Sequence, residues 1–278
     1  MSIFEQQTHR KKNANSTTKK MNAKDFLFEI IKVNASQKEL NWIETKAAGS
    51  LQSIQTAFVA TPRFISKTPI NTFETLCGVD FKTWTLDKLV RAYFITSLNE
   101  SQEEVYNKTL HTLFETAENN EAVALISTLV FFKNPETWLL RATDAVRTNI
   151  GVIFDAIAFE NPYPRQYFSE LAWNQLVLKC IFNDKPIGRI LGIDERANKE
   201  LATSISSLAH ERWAAGRSIP PQAWRLVVKY LDETIFEDIK RLFQSESQSD
   251  QIAAALVCKY SDYETTKSEL EKHPDLKD

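Results

Sequence analysis

Apolar residues recur along this chain at intervals of three and four, the spacing that lines one face of an α-helix. In "AKDFLFEIIKV" (23–33) Phe26, Ile30 and Val33 form one such stripe. Leu40, Ile43 and Ala47 form a second, and Leu51, Ile54 and Phe58 a third, before Pro62 and Pro69 break the run. "TLDKLVRAYFITSL" (85–98) restarts with Leu86, Leu89, Val90 and Phe94, and the next segment places Val105, Leu110, Leu113 and Phe114 inside. "NNEAVALISTLVFF" (119–132) is apolar on nearly every side and reads as a buried central helix. Asn134 and Pro135 then make the preferred opening of another helix, a cap followed by proline at the first position. Further helices are read through to "SDYETTKSELEKH" (261–273), with Gly216 where a left-handed residue ends one of them. No alternating strand stands out, and 61–83, the longest irregular stretch, reads as a surface loop.

The pattern predicts an all-α protein of roughly a dozen helices joined by short connections, which make sequential neighbours antiparallel. Stacked antiparallel pairs give a HEAT-like solenoid or helical bundle, although no repeat of fixed period is visible. The chain divides into a tail, 1–21, and a single helical domain, 22–278. The tail is polar and basic, with no apolar stretch to form a core or an export signal, and is expected to be disordered.

Charge narrows the choice of partner. The chain has 34 basic and 36 acidic residues, net −2. The first twenty residues carry five basic residues against Glu5, leaving 29 basic and 35 acidic and a body of −6. Such a body is not expected to bind nucleic acid, which calls for a basic footprint. The longest apolar run, "AVALISTLVFF", has eleven residues, against about 20 for a membrane-spanning helix. Six glycines supply no phosphate-cradling spacing. Cys77, Cys180 and Cys258 lie far apart among apolar residues and read as buried, reduced thiols of a cytoplasmic protein. The four histidines have no metal-ligand spacing, so no metal site and no cofactor are expected.

Candidate chemistry gathers in "LAHERWAAGR" (208–217). On a helix Ser206, His210, Trp213 and Arg217 share one side, Leu201, Ile205, Leu208 and Arg212 another, and Glu211 points in a third direction. His210 could exchange protons while Arg212 or Arg217 holds an anion; equally, the segment could be a helix end with cations in its last turn. Arg147 and Asn149 close one helix, and Glu160, Asn161 and Tyr163 close the next in an asparagine-before-proline turn. In "AWNQLVLKC" Trp173, Leu176, Val177 and Cys180 fit a buried stripe, with Asn174 and Lys179 beside it in solvent.

"AVRTN" (145–149), "ENPYP" (160–164), "AWNQLVLK" (172–179), "RAN" (196–198) and "LAHERWAAGRSIPPQAWRL" (208–226) together resemble the EboA family, with weaker similarity at "ATPRFISK" (60–67). One departure is Lys199, where the family tends to carry proline after the asparagine. The resemblance implies a bacterial cytoplasmic protein encoded in a natural-product gene cluster, beside a membrane prenyltransferase and a sugar-phosphate cyclase. It implies making or moving a small precursor, without an assigned reaction. The expectation is a non-catalytic binding or scaffold protein for a small metabolite or a pathway enzyme such as the prenyltransferase. Its pocket is expected to draw on Arg147, Asn149, Asn161, Tyr163, Trp173, Asn174, His210, Glu211, Arg212, Trp213, Arg217 and Trp224. The competing expectation is an enzyme acting on a prenyl, quinone-like or cyclitol-phosphate intermediate, with His210 as acid and base.

Overall fold

The computed structural model describes residues 22–98 and 101–276, so the tail read at 1–21 lies outside the described residues. The described residues contain fourteen α-helices, joined by short 3-10 turns, and almost no strand: the fold is all-α. They form two compact units, 22–72 with 84–98 and 73–83 with 101–276.

The first unit holds α1 (Ala23–Asn34), α2 (Gln37–Ala47), α3 (Leu51–Phe64) and α4 (Leu86–Ser97). The side chains of Asn22, Ser36 and Ser50 accept the amide of the residue three positions on and so start the first three helices. The stripe on α1 differs from the expected one. Leu27, Ile30 and Ile31 are buried, whereas Val33 is 78% exposed, so the inward face is rotated by about one residue from the expected stripe. α4 is the buried centre of the unit, with eleven of its twelve residues inside, Arg91 among them. The Arg91 guanidinium is tolerated there because Nε donates to the Phe58 carbonyl and the planar group lies over the Phe58 ring.

In the second unit the stretch expected to be loop contains a small hairpin, β1 (Thr75–Leu76) and β2 (Val79–Asp80), paired antiparallel. Its two-residue turn is Cys77–Gly78, both at positive φ, the conformation a tight hairpin requires. The segment expected as one buried helix is buried from Ala124 to Phe132. Its α-helical part, α6 (Asn119–Ser127), stops where Thr128 turns its hydroxyl back onto the Ala124 and Leu125 carbonyls, and the chain tightens into a 3-10 turn. Around it stand α5 (Glu103–Thr116), α7 (Leu139–Arg147), α8 (Gly151–Ala158) and α9 (Tyr163–Tyr167). Pro135 does take the first position of a 3-10 turn, but the Asn134 side chain caps nothing; its backbone is left-handed and its carbonyl accepts the Thr137 amide.

The candidate segments lie on α10 (Glu170–Phe182), α11 (Lys199–Ala214) and a 3-10 segment, Pro221–Tyr230, that was expected to be α-helical. Residues three apart eclipse in a 3-10 helix. Ala223 therefore stacks above Leu226 and Trp224 above Val227, all four buried, while Gln222, Arg225 and Val228 form the outer column. α12 (Glu233–Phe243), α13 (Gln248–Tyr260) and α14 (Thr266–Glu271) complete the unit. Asn174 meets Asn198 near the starts of α10 and α11, and the Phe182 carbonyl meets Arg212 near their ends. These two helices therefore run in the same direction. The expected antiparallel arrangement does not extend to them, because the chain between them returns through turns before α11 begins.

Candidate functional site

α11 is fixed at both ends. The Asn198 side chain accepts the Leu201 amide at 2.8 Å, and Gly216 (φ +69°) ends the helix as its position predicts. Leu201, Ala202, Ile205 and Ala209 anchor it in the core and leave two polar faces.

One face meets α12. The buried Asp238 carboxylate accepts Ser206 Oγ at 2.5 Å on one oxygen and lies 2.5 Å from His210 Nε2 on the other. The imidazole is half exposed and tilts against the Trp213 ring. Trp213 in turn stacks on the buried Trp224 with centroids 5.9 Å apart, and the Arg241 guanidinium lies over the Trp213 ring at 4.3 Å. The sequence reading of this face placed Ser206, His210 and Trp213 together but missed Asp238. A signal for it existed: Asp238 falls on the apolar stripe Ile235, Ile239, Leu242, where a carboxylate demands a buried donor.

Arg212 is a tie between helix ends. Nε donates to the Ser218 carbonyl, one terminal nitrogen to the Phe182 carbonyl, and the other to both Asp184 oxygens. Arg217 is exposed beyond the end of the helix.

Of the remaining candidates, Asn161 and Tyr163 hold backbone. Asn161 is buried, donates to the Ile126 and Ala156 carbonyls and accepts the Tyr163 amide. Tyr163 is buried and donates to the Pro135 carbonyl at 2.6 Å; burial pushes its phenol well above the ordinary tyrosine range, with Tyr167 and Glu136 adding to the rise. Trp173 is buried beneath the Arg196 guanidinium, 4.6 Å from its ring. Burial lowers the Arg196 pKa, opposed by Glu170. Asn174, expected in solvent, is buried and exchanges two amide hydrogen bonds with Asn198, at 3.1 and 2.8 Å. Lys179, likewise expected in solvent, donates to the Val146 and Thr148 carbonyls at the end of α7. Arg147 is exposed and pairs with Asp144.

The second polar face of α11 looks onto a groove of about 610 Å³ between it and α10. Thr203, Ser204, Ser207, Leu208 and Glu211 form its α11 wall, and Leu178, Lys179, Phe182 and Asn183 the α10 side, with Asn149 at its rim. Of the twelve candidate residues this groove brings together Asn149 and Glu211; Arg147 and Arg217 are exposed outside it, and the other eight lie in the arrangements just described. Its residues share a face at spacings of three and four, and Phe182 leaves an aromatic surface 58% exposed within it. Among the described residues no cluster of histidine, cysteine, aspartate and glutamate could hold a metal ion, and no helix is long and apolar enough to cross a membrane.

No curated protein and no solved structure matches the chain. The family model described as "Metabolite traffic protein EboA" matches residues 23–228, a span that contains every residue of the α10–α11 groove. With most of its length so matched, the chain belongs to the EboA family.

Proposed function

We propose that this EboA-family protein is a non-catalytic carrier that holds a small metabolite in the groove between α10 and α11. The observation that carries this reading is the groove itself: its volume lies in the range of small-molecule sites, and its lining mixes the apolar surface of Leu178, Phe182 and Leu208 with hydroxyl, amide and charged groups. The family description, metabolite traffic, fits such a role. The genomic setting implied by the resemblance, in the bacterial cytoplasm beside a membrane prenyltransferase and a cyclase, suggests transfer of a precursor between pathway enzymes, with one of those enzymes as the protein partner.

The test is to purify the full chain from its natural host and identify small molecules that travel with it by mass spectrometry. Ser207 is exposed within the groove, so Ser207→Trp fills the space without touching the core. A metabolite present with the wild type and absent from the folded variant is the expected result. A bound metabolite unaffected by the substitution places binding elsewhere and refutes the assignment.

The competing reading, His210 as an acid and base, is favoured by the buried carboxylate behind the imidazole. It is disfavoured by position, since His210 is not among the residues lining the groove. His210→Gln should leave metabolite output in cells unchanged if the protein is a carrier and reduce it severely if the imidazole moves protons.

A further inference from the structure

We infer that the groove selects a small ammonium compound bearing hydroxyl groups, and rejects phosphates and carboxylates; this rests on the metabolite reading above. Thr203 and Ser204 turn their hydroxyl protons back onto the Lys199 and Glu200 carbonyls, at 3.1 and 2.8 Å. What they present to the groove is therefore lone pairs. Asn183 donates one amide hydrogen to the Lys179 carbonyl and keeps its oxygen free to accept beside one remaining amide hydrogen. Lys179, the only lining cation among the described residues, keeps its charge but has two of its three protons on the Val146 and Thr148 carbonyls at 2.7 Å each. Glu211, the only lining carboxylate, has no partner among the described residues.

The walls are thus rich in acceptors, and of the two charged groups among the described lining residues it is the Glu211 carboxylate that has no hydrogen-bond partner. An anion would meet Glu211 and find only one remaining Lys179 proton to offset the repulsion. An ammonium would find a carboxylate for its charge and the exposed Phe182 ring for its cationic face. Hydroxyl groups on the same molecule would donate to Thr203, Ser204 and Asn183. Ser207 and Asn149, whose side chains are not engaged elsewhere among the described residues, can adapt as donor or acceptor.

The experiment uses the full chain and three probes. Glucosamine carries ammonium and hydroxyls; N-acetylglucosamine keeps the hydroxyls without the charge; glucosamine 6-phosphate adds an anion. Binding is followed by the NMR amide signals of residues 203–211. The expected result is a saturable shift with glucosamine and weaker binding of both other probes. Glu211→Gln should weaken glucosamine about threefold, the size of an exposed ion pair, and leave N-acetylglucosamine unchanged. A phosphate probe that binds as well as glucosamine, an unchanged affinity in Glu211→Gln, or no saturable shift with glucosamine overturns the inference. The two claims fail separately. A metabolite displaced by Ser207→Trp while the phosphate probe binds best leaves the carrier standing and removes the ammonium preference. A bound metabolite that ignores Ser207→Trp removes the groove as the carrier's site, whatever the probes do.

Discussion

His210 and Asp238 meet across α11 and α12 at 2.5 Å, and Ser206 completes the arrangement on the other carboxylate oxygen. Asp238 is 4% exposed, so its charge is accommodated by these two donors rather than by bulk water. Asp238→Ala leaves Ser206 without its acceptor and a polar void between the helices. It should lower stability by about 1–3 kcal/mol, read as a fall in the urea midpoint. His210→Gln keeps a donor on a half-exposed side chain and should cost less than about 1 kcal/mol. If the alanine variant unfolds no earlier than the glutamine variant, the pair does not tie α11 to α12.

Arg212 makes its contacts through three different nitrogens in a fixed plane: to Ser218, to Phe182 and to Asp184. Lysine has the charge but a single nitrogen, so it cannot reach all three. Arg212→Lys should therefore destabilise the protein by about 1–3 kcal/mol while the folded fraction keeps its bound metabolite. Loss of the metabolite at unchanged stability would instead make Arg212 a ligand contact.

The helical class was legible because stripes at three- and four-residue spacing need only sequence, and so were the Gly216 helix end and the buried Trp173, Leu176, Val177 and Cys180 face. The rotation of α1 was not, because Phe26 and Leu27 are adjacent and only tertiary packing decides which turns inward. The hairpin at Cys77–Gly78 escaped because two-residue strands carry no alternation and cysteine is a poor sign of a left-handed turn. For the site, sequence identified a rich segment but could not divide its polar residues between faces with different partners. Ser206 and His210 depend on Asp238, 28 or more positions away, and Arg212 on Asp184. The groove residues Ser204, Ser207 and Phe182 are chemically ordinary, so nothing but the placement of α10 beside α11 marks them.

The three cysteines were expected to be buried alike, and they separate. Cys77 is exposed at the hairpin turn, while Cys180 and Cys258 lie in the core. Burial pushes both core thiols up to about 12; around Cys180 the neighbouring lysines oppose the rise and Asp155 adds to it, and around Cys258 Glu269 adds to it. At pH 8 the native protein should titrate one thiol rapidly with a disulfide reagent and release the other two only on unfolding. Rapid modification of all three in native buffer would place the core thiols within reach of solvent. The same shift predicts alkaline instability. Between the ordinary thiol value of 9.0 and about 12 the folded state holds more protons than the unfolded state, so stability falls as pH rises through that window.

The acid limit lies in the other unit, at Glu39. Burial alone would raise this carboxyl, but the Ser66 amide, the Ser36 hydroxyl and the Ser36 amide all donate to it and together hold it at about 2, below the ordinary 4.5. Glu39 thereby closes the capping box that starts α2 and fastens the chain just beyond α3 to it. Because the folded value is depressed, this contribution is complete above pH 4.5 and is lost as pH falls toward 2. Glu39→Gln removes the charge at every pH and should cost about 1 kcal/mol at neutrality, with a shallower loss of stability on acidification. Trp42 and Trp84 belong to this unit, so NMR of their indole signals during an acid titration reports on it directly. An acid midpoint identical in wild type and Glu39→Gln would show that the carboxylate does not control the unit's acid unfolding.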